Sequence, residues 1–304
     1  MNYKIYTIIV TYNGMEWIDR CLTSLHESNL QTHIIVIDNL STDGTAEYIE
    51  NHFKDVELIR SKDNLGFGRG NNIGLKRAIE DHVDFVFLLN QDAWVKKETL
   101  DCLVQSQQDN PEYGIVSPVH MNKENTALET KFAEYSGPDN TLNLLSDMYF
   151  KTLKPIYETK FVNAAAWLIS KECLLKVGGF NPLFPHYGED EDFINRVKFW
   201  GFKVGINPLA QITHDSIFNW DKIEFNSKRN LIFNYIPLAN INHRSRSAWL
   251  LFLKRSFDEL GSYILFRKFK KFKLRFRAFI ATLFSFHKIR KFRTLSSKEK
   301  AFLD

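Results

Sequence analysis

The densest chemistry in the chain is Gly188-Glu189-Asp190-Glu191-Asp192, a glycine followed by four consecutive carboxylates. Such groups repel one another and are costly to bury unpaired. At a helix start the backbone dipole offsets part of that cost. Two readings stand: a solvated acidic first turn, or a general base with supporting acids. A base at neutral pH needs only to stay ionised, which an ordinary aspartate with a pKa of about 3.9 does. Asn90-Gln91-Asp92 closes the longest apolar run of the first half. A carboxylate there suits Mg²⁺ or Mn²⁺, which prefer oxygen ligands and bridge phosphates; it also suits a helix cap. Asp38 ends another apolar run and can take a nucleobase imide N–H or shape a turn. His214, in Ile-Thr-His-Asp, is a candidate metal ligand or a structural histidine.

These groups need a scaffold that gathers strand ends. Residues 4–11, 32–38, 56–59 and 83–89 are short β-branched and aromatic runs, separated by helical patterns at 15–28, 42–53 and 71–81. Continuous apolar strands alternating with helices predict a mostly parallel sheet covered on both faces, with ligands beyond the carboxyl ends of its strands. Residues 61–70 are polar and glycine-rich and predict a loop. The stretch Asn64 to Gly74 carries four glycines within nine residues, but Asn71 fills the third glycine slot of G-x-G-x-x-G, which argues against a dehydrogenase fingerprint. Residues 126–160 predict an irregular or antiparallel insert. A strand over 161–170, helices over 171–177 and 189–200, and a strand over 202–206 follow.

Composition sets the remaining bounds. At 44% hydrophobic and 25% charged the 304 residues are those of an ordinary globule. Cys21, Cys102 and Cys173 are far apart and odd in number, so a disulfide framework is not expected. Neither a signal-peptide pattern nor an apolar run long enough to span a bilayer is evident, which predicts a cytoplasmic location. Charge is lopsided. Residues 254–293 hold 13 Lys and Arg against 2 acids, a net of +11, whereas residues 1–253 sum to −7. Phe, Leu and Ile interleave with that basic stretch, as in an interfacial helix on anionic lipid. A helical pair packing on the catalytic body or on a second subunit is the other reading. Nucleic-acid binding is a third; it lacks the RNP1 pattern and finger spacings.

The motifs combine into a resemblance. I-I-V-T-Y-N at 8–13, V-I-D-N at 36–39, N-L-G-F-G-R-G-N-N-I-G at 64–74, L-N-Q-D at 89–92, V-G-G-F-N at 177–181, G-E-D-E-D-F at 188–193 and T-H at 213–214 occur in an order that resembles the family 2 glycosyltransferases. These are inverting enzymes of GT-A fold, and the rhamnosyltransferase-type members are the most similar. The resemblance covers roughly residues 4–215. It implies a Rossmann-like, mostly parallel sheet flanked by helices, over residues 1–218. About 1–110 would be the nucleotide-sugar half and about 111–218 the acceptor half. A basic helical extension, 219–304, follows.

By the same resemblance Thr11 and Asp38 hold the nucleoside, and Asn64 and Asn71 shape its pocket. Asn90-Gln91-Asp92 stands at the D-x-D metal motif; Asn90 replaces the first Asp and fits the rhamnosyl subgroup, whereas Gln91 does not. Asp92 is then the direct ligand of Mg²⁺ or Mn²⁺, and His214 completes the site. Asp190 is the base, Glu189 and Asp192 supporting acids, and Trp167, His186 and Tyr187 the acceptor side. The implied reaction moves a sugar from a nucleotide diphosphate donor, dTDP-rhamnose or a UDP-hexose, to a hydroxyl of a glycan or lipid-linked acceptor at the inner face of the cell membrane. An inactive relative serving as a membrane-bound assembly scaffold is the alternative, resting on Asn90.

Overall fold

The computed structural model of the chain describes residues 3–216 and 227–303. Its first half alternates strand and helix: β1 (Ile5–Thr11), α1 (Ile18–His26), β2 (His33–Asp38), α2 (Thr45–His52), β3 (Glu57–Arg60), α3 (Gly66–Glu80) and β4 (Phe85–Leu89). There follow β5 (Ala93–Val95), α4 (Thr99–Asp109), β6 (Tyr113–Met121), α5 (Thr130–Tyr135), α6 (Leu144–Phe150), β7 (Tyr157–Glu158), β8 (Ala166–Ser170), α7 (Lys171–Val177), α8 (Glu189–Phe199) and β9 (Lys203–His214). Four helices end the chain: α9 (Ser227–Ala239), α10 (Ser245–Leu265), α11 (Phe269–Phe284) and α12 (Phe286–Ser296).

The nine strands among the described residues form one sheet, ordered β3-β2-β1-β4-β8-β6-β9-β5, with β7 also on β9. β1 to β4 pair in parallel, and β8 runs antiparallel to both β4 and β6. Successive residues of a strand point to opposite faces, so a doubly covered sheet needs an apolar residue at every position. In β1, Ile8 enters one core layer with Val86, Ile115 and Trp167, while Ile9 enters the other with Val36, Phe87 and Leu103. The parallel half places the carboxyl ends of β1, β2 and β4 along one rim, with Thr11 beside Asp38 in register.

The glycine-rich segment is not the loop its composition predicts. Helix α3 begins at Gly66, and its glycines serve packing. A Cβ on Gly74 would lie 2.7 Å from Ile8 Cγ2, one on Gly70 2.9 Å from Val10 Cγ1, and one on Gly68 2.9 Å from Phe180 Cβ. The helix lies so close to β1 that no side chain fits between them. The insert at 126–160 contains the two short helices α5 and α6 and the antiparallel β7. The final strand extends beyond its predicted end at 206, through a register shift near Pro118, to His214.

The basic tail is partly a packing element. Tyr235, Leu238, Phe252, Phe279 and Ile289 form a third apolar cluster with Leu183 and Phe184 of the segment leading to α8. The chain end returns to the sheet domain: Gly179 N–H donates to Ala301 O at 2.7 Å, Lys300 N–H to Leu175 O at 3.1 Å, and Leu303 joins the core. Among the described residues no helix is long and apolar enough to cross a membrane. The boundary expected at 218 lies outside the described residues.

Candidate active site

The loops after β1, β2 and β4 are locked to one another by side chains. Thr11 Oγ1 donates to Gln91 Oε1 at 2.6 Å, Tyr12 N–H donates to the same oxygen at 2.9 Å, and Gln91 Nε2 returns a bond to Tyr12 O at 3.3 Å. Gln91, the departure from the rhamnosyl pattern, is thus the clasp between two strand ends. Thr11 is fully buried, and its hydroxyl hydrogen is engaged in this clasp. Asp38 is 4% exposed: Oδ2 accepts the Ser41 N–H at 3.2 Å, and Oδ1 is buried with no partner among the described residues. An orphaned carboxylate oxygen costs about 1–3 kcal/mol, more when charged, and waits for a donor.

Beside it, Asn39 and Asn64 face each other. Asn39 Nδ2 donates to Asn64 Oδ1 at 3.0 Å, while Asn39 Oδ1 accepts the Leu65 N–H at 2.6 Å. Asn64 Oδ1 also accepts the Gly66 N–H at 3.0 Å, at the start of α3. Asn39 had no assigned role from sequence, although it follows Asp38 directly. Asn71 is buried and donates back to Phe67 O at 3.0 Å, a bond within α3.

At the end of β4 a second group forms. Ala93 pairs with His214 across the antiparallel β5–β9 ladder, which sets His214 against Asp92. His214 Nε2 is 3.4 Å from Asp92 Oδ1 and 3.5 Å from Asn90 Nδ2. Asp215 N–H donates to Asp92 O at 2.9 Å, and Asp215 Oδ2 accepts the Trp17 indole N–H at 3.0 Å. Asp92 retains 26% side-chain exposure, so a carboxylate oxygen and an imidazole stand together at the rim. That donor pair fits Mg²⁺ or Mn²⁺, with the remaining positions left to phosphate and water.

The start of α8 supplies the acids. Gly188 caps it with φ of 85°, and Tyr187 before it has φ of 67°. A tyrosine in left-handed backbone is strained, and such residues cluster at functional sites. Asp190 Oδ2 accepts the Ala164 N–H at 3.1 Å, and Ala165 O in turn accepts the Asn90 N–H at 2.9 Å. One short backbone stretch therefore ties Asp190 to the Asn90-Gln91-Asp92 turn. Burial pushes the Asp190 carboxyl up to about 6. Burial, and then the charge of Asp190, push Glu189 above the usual carboxylate range. Glu189 Oε2 has no partner among the described residues.

Two expected site residues are placed elsewhere. Asp192 is buried: Oδ2 accepts from Arg196 Nε at 2.8 Å and Oδ1 from Asn181 Nδ2 at 3.1 Å. Arg196 continues to Val177 O and Gly179 O, both at 2.7 Å. This network fastens α8 to the end of α7 and leaves Asp192 no part as a supporting acid. Trp167 is fully buried between Phe180 and Phe193 and presents no surface to an acceptor. His186 and Tyr187, by contrast, are exposed with their rings in contact at 4.0 Å, just before the acidic turn.

Comparison with known proteins places the chain. Residues 6–176 match the family model described as glycosyl transferase family 2. Over 247 residues the chain is 25% identical to the low-salt glycan biosynthesis hexosyltransferase Agl10 of Haloferax volcanii, covering 79% of this chain and 76% of that protein. It is 24% identical over 228 residues to the N-acetylglucosaminyl-diphospho-decaprenol L-rhamnosyltransferase of Mycobacterium tuberculosis, covering 68% and 74%. The crystal structure of S. aureus TarS 1-349 in complex with UDP-GlcNAc superposes with a TM-score of 0.59 at 15% identity, covering 97% of this chain and 89% of that one. At that identity the likeness is one of fold, GT-A.

Proposed function

The chain belongs to glycosyl transferase family 2, and on that premise we propose that it transfers a hexosyl or rhamnosyl group from a nucleotide diphosphate donor to an acceptor hydroxyl, with inversion. The observation that supports this reading is the tie from Asp190 through Ala164 and Ala165 to Asn90, which links the carboxylate to the turn that carries Asp92, itself against His214. The orphaned Asp38 Oδ1 accepts the imide N–H of uracil or thymine, and Asn39 with Asn64 forms the adjoining wall. Asp92 holds the divalent ion, with His214 beside it. When bound, that ion neutralises charge on the departing diphosphate.

Asp190 takes the proton from the acceptor hydroxyl as the oxygen forms its bond to the anomeric carbon and the bond to the diphosphate breaks. The Ala164 N–H fixes which oxygen of Asp190 stays free, since Oδ2 is engaged. A single base suffices because the leaving group needs no proton, unlike the two-carboxylate arrangement of glycosidases. His186 and Tyr187 border the acceptor side. One reaction thus uses both groups of residues, and positioning supplies much of the rate.

A lipid-linked acceptor fits the surface of the C-terminal helices. Leu250, Phe257, Leu265, Phe266, Phe269 and Phe284 are each more than 60% exposed, among the Lys and Arg of residues 254–293. Apolar side chains ringed by cations suit an anionic bilayer surface, where each basic residue contributes about 1 kcal/mol. The function is tested by a thermal-shift panel of UDP, dTDP and their sugars with and without Mn²⁺, followed by turnover of whichever donor stabilises the chain. A donor that raises the melting temperature and is consumed in the presence of an acceptor supports the proposal. No stabilisation by any nucleotide diphosphate, and no turnover, overturns it.

A further inference from the structure

A groove of about 620 Å³ opens where Phe199 at the end of α8, Arg246 at the start of α10, and Phe286, Arg290 and Arg293 of α12 come together. Three arginines line it, and no carboxylate among the described residues does. From residue 227 to residue 298 the only acids in the sequence are Asp258 and Glu259, and Glu259 pairs with Arg275. Cations gathered without acids leave a local positive field that attracts an anion.

The three arginines are not equivalent. Arg293 is half-buried and already committed: it donates to Leu238 O at 3.1 Å, and to Asn240 O and His243 O. It braces the turn between α9 and α10 against α12, and neutral carbonyls rather than an anion face its charge. Arg246 and Arg290 are exposed, and their guanidinium groups have no hydrogen-bond or ion-pair partner among the described residues. Thr294 Oγ1 donates to Arg290 O at 3.0 Å and Ser297 Oγ to Thr294 O at 2.9 Å, so the charged donors still on offer are these two forks. The groove also has an apolar edge. Leu250 follows Arg246 by one helical turn, shares its face and is exposed. The Trp249 ring packs on Phe286 at 5.2 Å, and Phe284, two residues earlier, is exposed.

We propose that this groove is a discrete phospholipid headgroup site, in which Arg246 and Arg290 grip the phosphate of an anionic lipid and Leu250 and Phe286 meet its acyl end. The planar guanidinium presents two parallel N–H groups that match two phosphate oxygens, which a lysine ammonium does not. Arg293 adds a fixed positive charge behind them. A soluble phosphate has no use for the apolar edge, and that edge commits the site to a lipid. The site deepens the membrane reading given above to the C-terminal helices by naming one place and one chemical group. It stands apart from the sugar-transfer step.

The test is sedimentation of the full chain with phosphatidylcholine vesicles containing phosphatidylglycerol, at fixed ionic strength. The double variant Arg246→Lys, Arg290→Lys keeps every charge and removes both forks. It should bind about tenfold more weakly, the scale of one hydrogen bond to a charged group. Arg246→Gln with Arg290→Gln should lose about tenfold more than the charge-matched pair Lys270→Gln with Lys271→Gln on α11. Circular dichroism checks each fold, and the exposure of all four positions makes native spectra the expectation. Full binding by the lysine double variant, or equal losses in the two glutamine pairs, overturns the site and leaves only a diffuse attraction between the helices and the bilayer. Release of the wild type by excess inorganic phosphate at the same ionic strength also overturns it, because the groove then takes free phosphate. No binding to any anionic vesicle overturns both the site and the membrane reading. Vesicle binding by a chain that turns over no nucleotide-sugar would sink the proposed transfer and leave this inference standing.

Discussion

The Asp190 carboxylate takes the Ala164 N–H at 3.1 Å, one residue from the carbonyl that receives Asn90 N–H. Asp190 and the Asn90-Gln91-Asp92 turn therefore hang from the same backbone segment. Asp190→Asn keeps an oxygen for the Ala164 N–H and removes only the proton acceptor. Donor affinity should hold within about twofold, while the transfer rate falls by about 10²–10⁴, the usual worth of a general base. Calorimetry with donor and single-turnover transfer measure the two sides. Normal transfer by this variant would show that another group is the base.

Acidity gives an independent check on the same carboxylate. Burial raises Asp190 to about 6, and the reaction needs its ionised form. The transfer rate per unit donor should be flat above about pH 7 and drop close to tenfold per unit below pH 6. The control is donor binding across the same range, which should not follow that slope. A profile that is level down to pH 5 would mean the base titrates in the ordinary aspartate range, or lies elsewhere.

Glu189 predicts an effect on stability rather than rate. Its folded pKa is raised from 4.5 to about 8, by burial first and then by the Asp190 charge. In the unfolded chain it ionises near its ordinary value, so the folded state holds a proton that the unfolded state has lost. Stability therefore falls as pH rises from about 4.5 to about 8 and levels off above that. Glu189→Gln removes this slope. The variant should melt with the wild type near pH 4.5 and a few degrees above it at pH 8, by scanning calorimetry at both pH values.

Much of this architecture was legible in the sequence where burial writes a strong pattern. The runs ending at Thr11, Asp38 and Leu89 are rich in apolar residues and buried at nearly every position because both sheet faces are covered, and their ends mark one side of the candidate site. The acidic turn was visible, but its members were not separable by composition. Only the four-residue step from Asp192 to Arg196 hinted that this acid belongs to a buried pair. Trp167 resembled a site aromatic because a buried strand and an acceptor wall both favour large rings. The glycines of α3 read as a loop because glycine weakens helices; close approach to Ile8 and Val10 outweighs that weakness.

The approach of α3 to β1 can be tested at Gly74. An added methyl would lie 2.7 Å from Ile8 Cγ2 and 2.9 Å from its Cδ1, and Ile8 is fully buried. Helix propensity alone would favour alanine by about 1 kcal/mol. Overpacking a closed core costs about 1–3 kcal/mol, so the net sign is destabilising. Gly74→Ala should unfold at lower urea concentration, with an unchanged slope. A second change, Ile8→Val in the same chain, should recover part of the loss by freeing a methyl's width. If the single variant is more stable than wild type, the contact is looser than these distances imply.

Asp192 stands in the acidic first turn of α8 yet is paired with Arg196 in the interior. Both side chains are nearly inaccessible, at 3% and 1%, and the guanidinium also serves Val177 O and Gly179 O. Arg196→Met removes the cation and strands a buried carboxylate plus two carbonyls. The expected loss is about 3–5 kcal/mol, the range for breaking one side of a buried pair. The double variant Asp192→Leu, Arg196→Met removes both charges and should recover part of that loss, because no unpaired ion remains. Urea unfolding of the two variants and wild type reads the coupling directly. Were Asp192 a supporting acid instead, Asp192→Asn would lower transfer without lowering stability. The network predicts the reverse: weaker resistance to urea, with transfer per folded molecule retained within a few-fold.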